Sequence, residues 1–386
     1  MTKRVLFIIG TLQSGGVSKS MVSLLNAWDC NKYETDLLLC SQAGNIYKEQ
    51  IPKQVNVIYD PRIENAMGGL KSYVWFLRHR HILLALGVLI RLVLSRFSKA
   101  KAGMLISRMM PVVTPIEYDL IVDYGGQQLL YYMIDKLKGK KKISFFHNDY
   151  RQWSYYYAAD KKYYRYVDVI FSISDVCVKS LREVFPEYAD KVALMENISS
   201  PKLLHQLAEE YIDFPSGNVF VTVGHINEQK GTDFAIEAAK ILKSRGVQFQ
   251  WLFVGKIIRQ DWIEKVHVLG LDDAIKFVGI KTNPYPYMKR ATLIVHPARF
   301  EGKSIALDEA KILCKPIVVT NFSTVYDQFE DGVNASICEM NGKSLAEAIV
   351  HLAENGDLQH RYITYLTEHI VDNSTEVEKL YQLVHE

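Results

Sequence analysis

Short runs of aliphatic and β-branched residues recur along this chain, separated by longer stretches whose apolar positions return every three to four residues. The first run, residues 4–10, leads into a glycine-rich turn (Gly10, Thr11, Leu12, Gln13, Ser14, Gly15, Gly16) and then into helical spacing over 17–28. Residues 219–224 begin the same succession, with a turn and helical spacing over 233–243. A strand, a glycine turn and a helix open a doubly wound domain. Their return roughly 210 residues later predicts two such domains.

The pattern predicts further strands at 35–40, 55–59, 120–124, 142–146 and 169–173, then at 251–254, 275–278, 293–295, 317–319 and 335–337. Each alternates with a helical stretch, as a parallel sheet requires. Residues 197–217 read as the junction. They contain Pro201, a helical pattern over 203–211, and then Pro215, Ser216 and Gly217. The expected domains are therefore 1–200 and 201–386, both α/β. A last helix from 357 to the C-terminus is expected to cap either domain, crossing back in one case.

A chain of 386 residues exceeds one ordinary core, and 48% hydrophobic with 23% charged residues marks a globular protein rather than a disordered one. Five dispersed cysteines without a CxxC pair suit reduced thiols in a cytosolic setting, not a disulfide framework or a zinc site. The apolar run at 5–9 is too short for a signal-peptide core and reads as a buried strand, and no stretch has the length and purity of a membrane span. Charge is unevenly distributed. The first 200 residues carry 27 Lys+Arg against 18 Asp+Glu, a balance of +9, and the remainder carries −6. A basic first half points to an anionic partner there.

That excess is concentrated in residues 65–116, which hold no Asp or Glu. They carry Lys71, Arg78, Arg80, Arg91, Arg96, Lys99, Lys101 and Arg108, interleaved with Trp75, Phe76, Leu77 and the apolar run 82–90. Basic residues flanking an apolar helical pattern predict a segment lying in a membrane interface, against the alternative of a core helix with a solvated basic rim.

The strongest chemical signal is residues 300–310, Phe-Glu-Gly-Lys-Ser-Ile-Ala-Leu-Asp-Glu-Ala, after a predicted strand and opening a helix. Glu301 falls in the turn and Glu309 in the helix, on a face shared with Ile305 and Ile312. A buried carboxylate needs hydrogen-bond donors, and a sugar or ribose diol supplies two. Gly302 lets a ligand approach the backbone. The N–H groups at Lys303, Ser304 and the following residues are expected to be free to hold a diphosphate.

On these residues the chain resembles the retaining glycosyltransferases of family 4, which have the GT-B fold: two Rossmann-like, doubly wound parallel-sheet domains facing across a cleft. Glu301 and Glu309 match that family's paired glutamates, and residues 314–319 (Cys-Lys-Pro-Ile-Val-Val) its following strand. Gly224, His225, Lys230 and Gly231 stand where the family carries Gly-Arg and Lys-Gly, so Lys230 is implied as the cation on the donor diphosphate. His225 departs from the usual arginine and offers no fixed charge. His147, after a strand, stands where the family often places a histidine against the transferred sugar, and Gly16 lies in its first glycine loop. Ser174 and Asn197 fall where similar enzymes face the cleft.

The resemblance implies transfer of a glycosyl group, with retention, from a nucleoside diphosphate sugar (UDP-linked) to a hydroxyl. Glu301, His147 and Lys230 are implied as catalytic. Glu309, Gly302, Lys303, Ser304, His225, Gly224 and Gly16 are implied as donor-binding. No Asp-x-Asp element calls for a metal, and no cofactor beyond the sugar nucleotide is implied. With the acid-free segment, the expected acceptor is a lipid-linked glycan of capsule, O-antigen or exopolysaccharide synthesis, worked on at the cytoplasmic face of an anionic membrane. Two rivals share the scaffold: a nucleotide-sugar 2-epimerase, and a non-catalytic member of a polysaccharide-assembly complex. Nucleic acid is not an expected partner, because the basic residues alternate with aliphatic runs rather than stacking platforms.

Overall fold

The computed structural model describes residues 2–13, 15–370 and 372–386; Met1, Ser14 of the glycine turn and Val371 of the C-terminal stretch lie outside the described residues. The chain forms two compact units. One comprises residues 2–13, 17–197 and 375–386, and the other is built on residues 198–374.

The first unit is a seven-stranded sheet in the order β3-β2-β1-β4-β5-β6-β7, parallel throughout. Its strands are β1 (Lys3–Ile9), β2 (Tyr33–Leu39), β3 (Asn56–Ile58), β4 (Glu117–Asp123), β5 (Lys138–Phe146), β6 (Val169–Ser172) and β7 (Val192–Leu194). Val5, Leu6, Phe7, Ile8 and Ile9 are all buried, because helices cover both faces of the sheet and successive positions of this strand alike meet apolar neighbours. The helices are α1 (Gly16–Ala27), α2 (Pro61–Met67), α3 (Leu70–Arg78), α4 (Ile82–Phe97), α5 (Lys99–Met109), α6 (Gln128–Lys136), α7 (Tyr157–Tyr164) and α8 (Asp175–Val184). The whole acid-free segment is thus the helical connection between β3 and β4.

The second unit is a six-stranded parallel sheet in the order β10-β9-β8-β11-β12-β13. Its strands are β8 (Val219–Val223), β9 (Gln250–Val254), β10 (Ile275–Gly279), β11 (Leu293–His296), β12 (Ile317–Thr320) and β13 (Ser336–Cys338). Its helices are α9 (Pro201–Ala208), α10 (Thr232–Ser244), α11 (Asp261–Val268), α12 (Tyr285–Arg290), α13 (Ile305–Ile312), α14 (Gly342–Glu354) and α15 (Gly356–Glu368). Ala235, Ala238 and Ala239 of α10 and Leu345 and Ile349 of α14 fill the core on one face of the sheet, while Leu307 and Ala310 of α13 and Met288 of α12 fill the other.

In each sheet the strand order reverses once, at β1/β4 in the first and at β8/β11 in the second. Ligands of doubly wound sheets bind outside the strand C-termini at such reversals. The residues following β4, β5, β8 and β11 therefore hold the candidate positions.

The C-terminal stretch corrects one expectation. It is not one helix from 357 onward but α15 and then α16 (Glu378–His385). Asp372, Asn373 and Ser374 interrupt it: the Asp372 carboxylate accepts from the Ser374 N–H at 3.0 Å, a local bond that competes with helix. The last helix packs within the first unit, where Tyr381 stacks on Tyr33 (5.3 Å, 15°) and its hydroxyl accepts from the Asp29 N–H at 2.8 Å.

Candidate active site

Beyond the end of β8 the chain turns through Gly224 and then closes a tight loop from Asn227 to Gly231. The Asn227 side chain accepts from the Lys230 N–H at 2.9 Å, and Thr232 donates to the Asn227 carbonyl through both N–H and hydroxyl. Gly231 is required here. Its φ is 65°, and a Cβ at this position would lie 1.8 Å from the Pro297 carbonyl oxygen. That close approach brings the loop after β8 against the loop after β11. Arg299 pins the two together. Its guanidinium donates to both oxygens of Asp233 on α10 at 2.7 and 2.6 Å and to the Glu228 carbonyl at 2.5 Å, and its N–H donates to the Gln229 carbonyl at 2.8 Å.

The stem of Lys230 runs past Gly224, and its ammonium forms an ion pair with Glu301 Oε1. The same oxygen accepts from Nε2 of His296, the last residue of β11, at 2.9 Å. Thr324 fixes the glutamate's backbone, donating to its carbonyl at 3.0 Å. Burial alone would push the Glu301 carboxyl up, but the Lys230 charge and the His296 bond outweigh it and hold the carboxyl down at about 2. Burial holds the His296 imidazole below its ordinary value. It is therefore neutral, with its one proton on Nε2 facing the carboxylate. Both donors sit on Oε1. Oε2 has no hydrogen-bond partner among the described residues, and the side chain retains 10% exposure.

Glu309 lies in the middle of α13, 3% exposed, and accepts from the Tyr285 hydroxyl at 2.8 Å. Gly302 and Lys303 occupy the turn before α13, and Lys303 is buried. One expectation is corrected at the start of this helix. The Ser304 N–H is not free for a diphosphate, because it donates to Gln328 Oε1 at 3.0 Å, and the Gln328 amide returns to the Ser304 carbonyl at 3.0 Å and to Asp308 at 2.9 Å. A buried N–H at a helix start needs an acceptor, and Gln328 supplies it from within the protein.

In the first unit, His147 follows β5. Its Nε2 is 3.0 Å from the Tyr124 carbonyl, and burial draws its pKa down to about 4. The neutral ring therefore donates from Nε2, which leaves Nδ1 as a hydrogen-bond acceptor. Tyr124 is fixed in turn. Ser20 donates to Asn197 Oδ1 at 2.7 Å, so the Tyr124 hydroxyl is the donor in its 2.5 Å contact with Ser20. Asp123, buried beneath this cluster, accepts from Ser144 at 2.7 Å and from Gly125 and Gly126 N–H at 3.0 Å each. Burial outweighs these bonds and raises its carboxyl to about 6. Gly16 begins α1, Ser174 caps α8 through the Cys177 N–H at 3.3 Å, and His225 is half-buried after Gly224.

Lys230, Glu301 and Glu309 thus share the switch-point end of the second sheet, and His147 holds the equivalent end of the first. Sequence reasoning missed His296, Arg299, Asp233, Tyr285 and Gln328. A histidine ending an apolar run directly before proline was the one available signal.

Residues 209–369 match the family described as glycosyl transferases group 1, a match covering less than half of the chain. Among curated relatives, an uncharacterised glycosyltransferase of Methanocaldococcus jannaschii is 24% identical over 43% of this chain and 43% of its own length. The capsular polysaccharide biosynthesis glycosyltransferase CapM of Staphylococcus aureus is 27% identical over 40% of this chain and 42% of its own. The chain therefore aligns with under half the length of these relatives. Among solved structures, HepE of Anabaena in complex with UDP and glucose superposes with a TM-score of 0.70 at 15% identity, covering 99% of both chains. TarM of S. aureus gives 0.70 at 12% identity over the whole of both. The fold is that of the GT-B glycosyltransferases, with two Rossmann-like parallel-sheet units.

Proposed function

We propose that this protein is a retaining glycosyltransferase that moves a sugar from a nucleoside diphosphate sugar, UDP-linked, to a hydroxyl of a lipid-linked glycan in bacterial polysaccharide assembly. The observation that carries this reading is the Glu301 carboxylate: buried, ionised, held through one oxygen by Lys230 and His296, with the other oxygen unpaired among the described residues. Such an oxygen suits a sugar hydroxyl, and Lys230 beside it suits a diphosphate. Glu309 takes the ribose diol; in the first unit, His147 Nδ1 is an acceptor suited to a sugar hydroxyl. In the reaction the bond from the anomeric carbon to the diphosphate oxygen breaks. The acceptor oxygen bonds to that carbon on the same face, and the acceptor's proton passes to the departing phosphate. Lys230 stabilises the charge that develops on the leaving group. The family match over residues 209–369, the capsule assignment of CapM and the UDP bound to HepE support the same donor and setting.

The acceptor is read from α3 and α4. Leu70, Val74 and Leu77 on α3 and Ile82, Leu86, Ile90, Val93 and Phe97 on α4 recur at helical spacing and are all exposed; Leu83 and Phe97 reach 84%. A folded chain gains nothing from such a face in water. No carboxylate lies within 65–116, and Arg91 is buried without an ion-pair partner among the described residues. An apolar stripe with a purely basic border suits an anionic lipid surface that presents a lipid-linked acceptor. No helix among the described residues is long and apolar enough to cross a membrane. A thermal-shift panel of nucleotide sugars, followed by product analysis with donor alone and with acceptor, tests the reading. A single stabilising donor and a glycosylated product support it, whereas epimerised donor without acceptor, or indifference to every sugar nucleotide, overturns it.

A further inference from the structure

We propose that His296 is a positioning residue that keeps Glu301 in place once the donor's diphosphate has drawn Lys230 away. The inference rests on the donor-site reading above.

Lys230 and His296 share one oxygen of Glu301. These two partners differ in kind. Lys230 is an ammonium on a flexible four-carbon stem whose side chain is 22% exposed, so it turns readily toward a diphosphate. His296 ends a central strand, is 2% exposed, and stands edge-on to Phe322 with ring centroids 6.2 Å apart. Its ring cannot follow the ligand. When a diphosphate takes the ammonium, the Nε2–H of His296 becomes the bond that fixes Oε1, so that Oε2 keeps its direction toward the sugar. Ser304 Oγ, 3.4 Å from the same Nε2, is the other polar group at that nitrogen. Glu301 and Lys230 are the charged groups acting on the imidazole, the first opposing and the second reinforcing the effect of burial. With Lys230 turned away, Oε1 is shared with no second donor and the Nε2–H of His296 is the bond that remains on it.

The test is steady-state kinetics of nucleoside diphosphate release by wild type, His296→Ala, His296→Gln, Glu301→Gln and the His296→Ala/Glu301→Gln double variant, with melting temperatures measured alongside. His296→Ala is expected to lower kcat by about 10- to 100-fold with the donor KM within about threefold, the signature of a misplaced reacting group. His296→Gln, which keeps an N–H donor, is expected to recover most of that loss. In the Glu301→Gln background the alanine change is expected to cost less than about twofold, because the two residues act as one unit. Wild-type kcat in His296→Ala overturns the proposal, as does an alanine penalty of equal size with and without the Glu301 carboxylate. Should the alanine variant not fold, His296→Asn, too short to reach Glu301, serves in its place with the same two readings. A wild type that turns over no sugar nucleotide defeats the donor-site reading itself, and the proposal with it.

Discussion

Arg299 and Asp233 meet through two parallel hydrogen bonds of 2.7 and 2.6 Å, joining the loop that carries Glu301 to the helix that follows Lys230. Neither residue faces a ligand in the proposed chemistry, yet together they decide whether the lysine and the glutamate meet. Replacing Arg299 by Lys keeps the charge and loses the fork. The expected result is a stability loss of about 1–2 kcal/mol, as for a charged hydrogen bond, with a larger proportional fall in donor affinity. Denaturant unfolding and donor titration check both.

Gly231 is expected to tolerate no side chain. Gly231→Ala places a Cβ where the Pro297 carbonyl oxygen stands and requires the left-handed φ of 65°. A loss of about 2–4 kcal/mol is expected for combined strain and overlap, read as a lowered melting temperature. Gly217→Ala, also at positive φ (88°) but with open space around it, is expected to cost much less.

Two buried groups lose their contribution to stability on the acid side. His147 is neutral in the fold with its pKa drawn down to about 4, whereas the unfolded chain takes up this proton near about 6.5. Its contribution is therefore complete above that value and is lost as pH falls toward 4. Glu301, held at about 2, contributes fully above its unfolded value of about 4.3 and loses that contribution only as pH falls toward 2. Asp123, raised to about 6, and Asp160, raised to about 7, act in the opposite sense, adding stability as pH falls from those values toward about 3.9. The His147 contribution is therefore read as a difference: in urea unfolding, wild type is expected to lose stability relative to His147→Gln as pH falls from about 6.5 to about 4, with no further change in that difference below about 4.

Most of the fold could be read from pattern, because parallel strands buried on both faces are apolar runs that helical stretches must separate. Residues 4–10 and 219–224 show this most clearly. β7 escaped notice because Val192–Leu194 is three residues at a sheet edge. The break before α16 escaped because apolar spacing resumes beyond it and hides the turn at Asp372. Within the site, Lys230 and Glu301 were legible as a motif. Their supports were not: Arg299 and Asp233 lie 66 residues apart, Tyr285 and Glu309 24, Gln328 and Ser304 24. Periodicity carries no information about such pairs, and the N–H expected to be free at Ser304 was taken by a glutamine that pattern alone could not place there.

Tyr285→Phe removes the hydroxyl that donates to the buried Glu309 carboxylate. A buried carboxylate that loses one hydrogen-bond donor is destabilised by about 1 kcal/mol, so a lower melting temperature is expected. Bound donor is expected to restore part of it, since a ribose diol brings two donors to the same carboxylate.

The exposed face of α4 is expected to govern vesicle binding and not folding. Leu83→Glu with Phe97→Glu alters two side chains that are each 84% exposed. Co-sedimentation with vesicles containing anionic lipid is expected to fall by about tenfold or more while the melting temperature stays within a degree or two of wild type. Equal wild-type binding to neutral and anionic vesicles would contradict the electrostatic part of the account.

The most direct measurement is a comparison by calorimetry of UDP and a non-hydrolysable UDP-sugar binding to wild type and to Glu301→Gln. If the free oxygen of Glu301 holds the sugar, wild type binds the sugar nucleotide at least about tenfold more tightly than bare UDP, about 1.4 kcal/mol, and the glutamine variant loses that margin with its UDP affinity intact. A wild type that does not distinguish the two ligands, or a variant that keeps the full margin, would contradict the account.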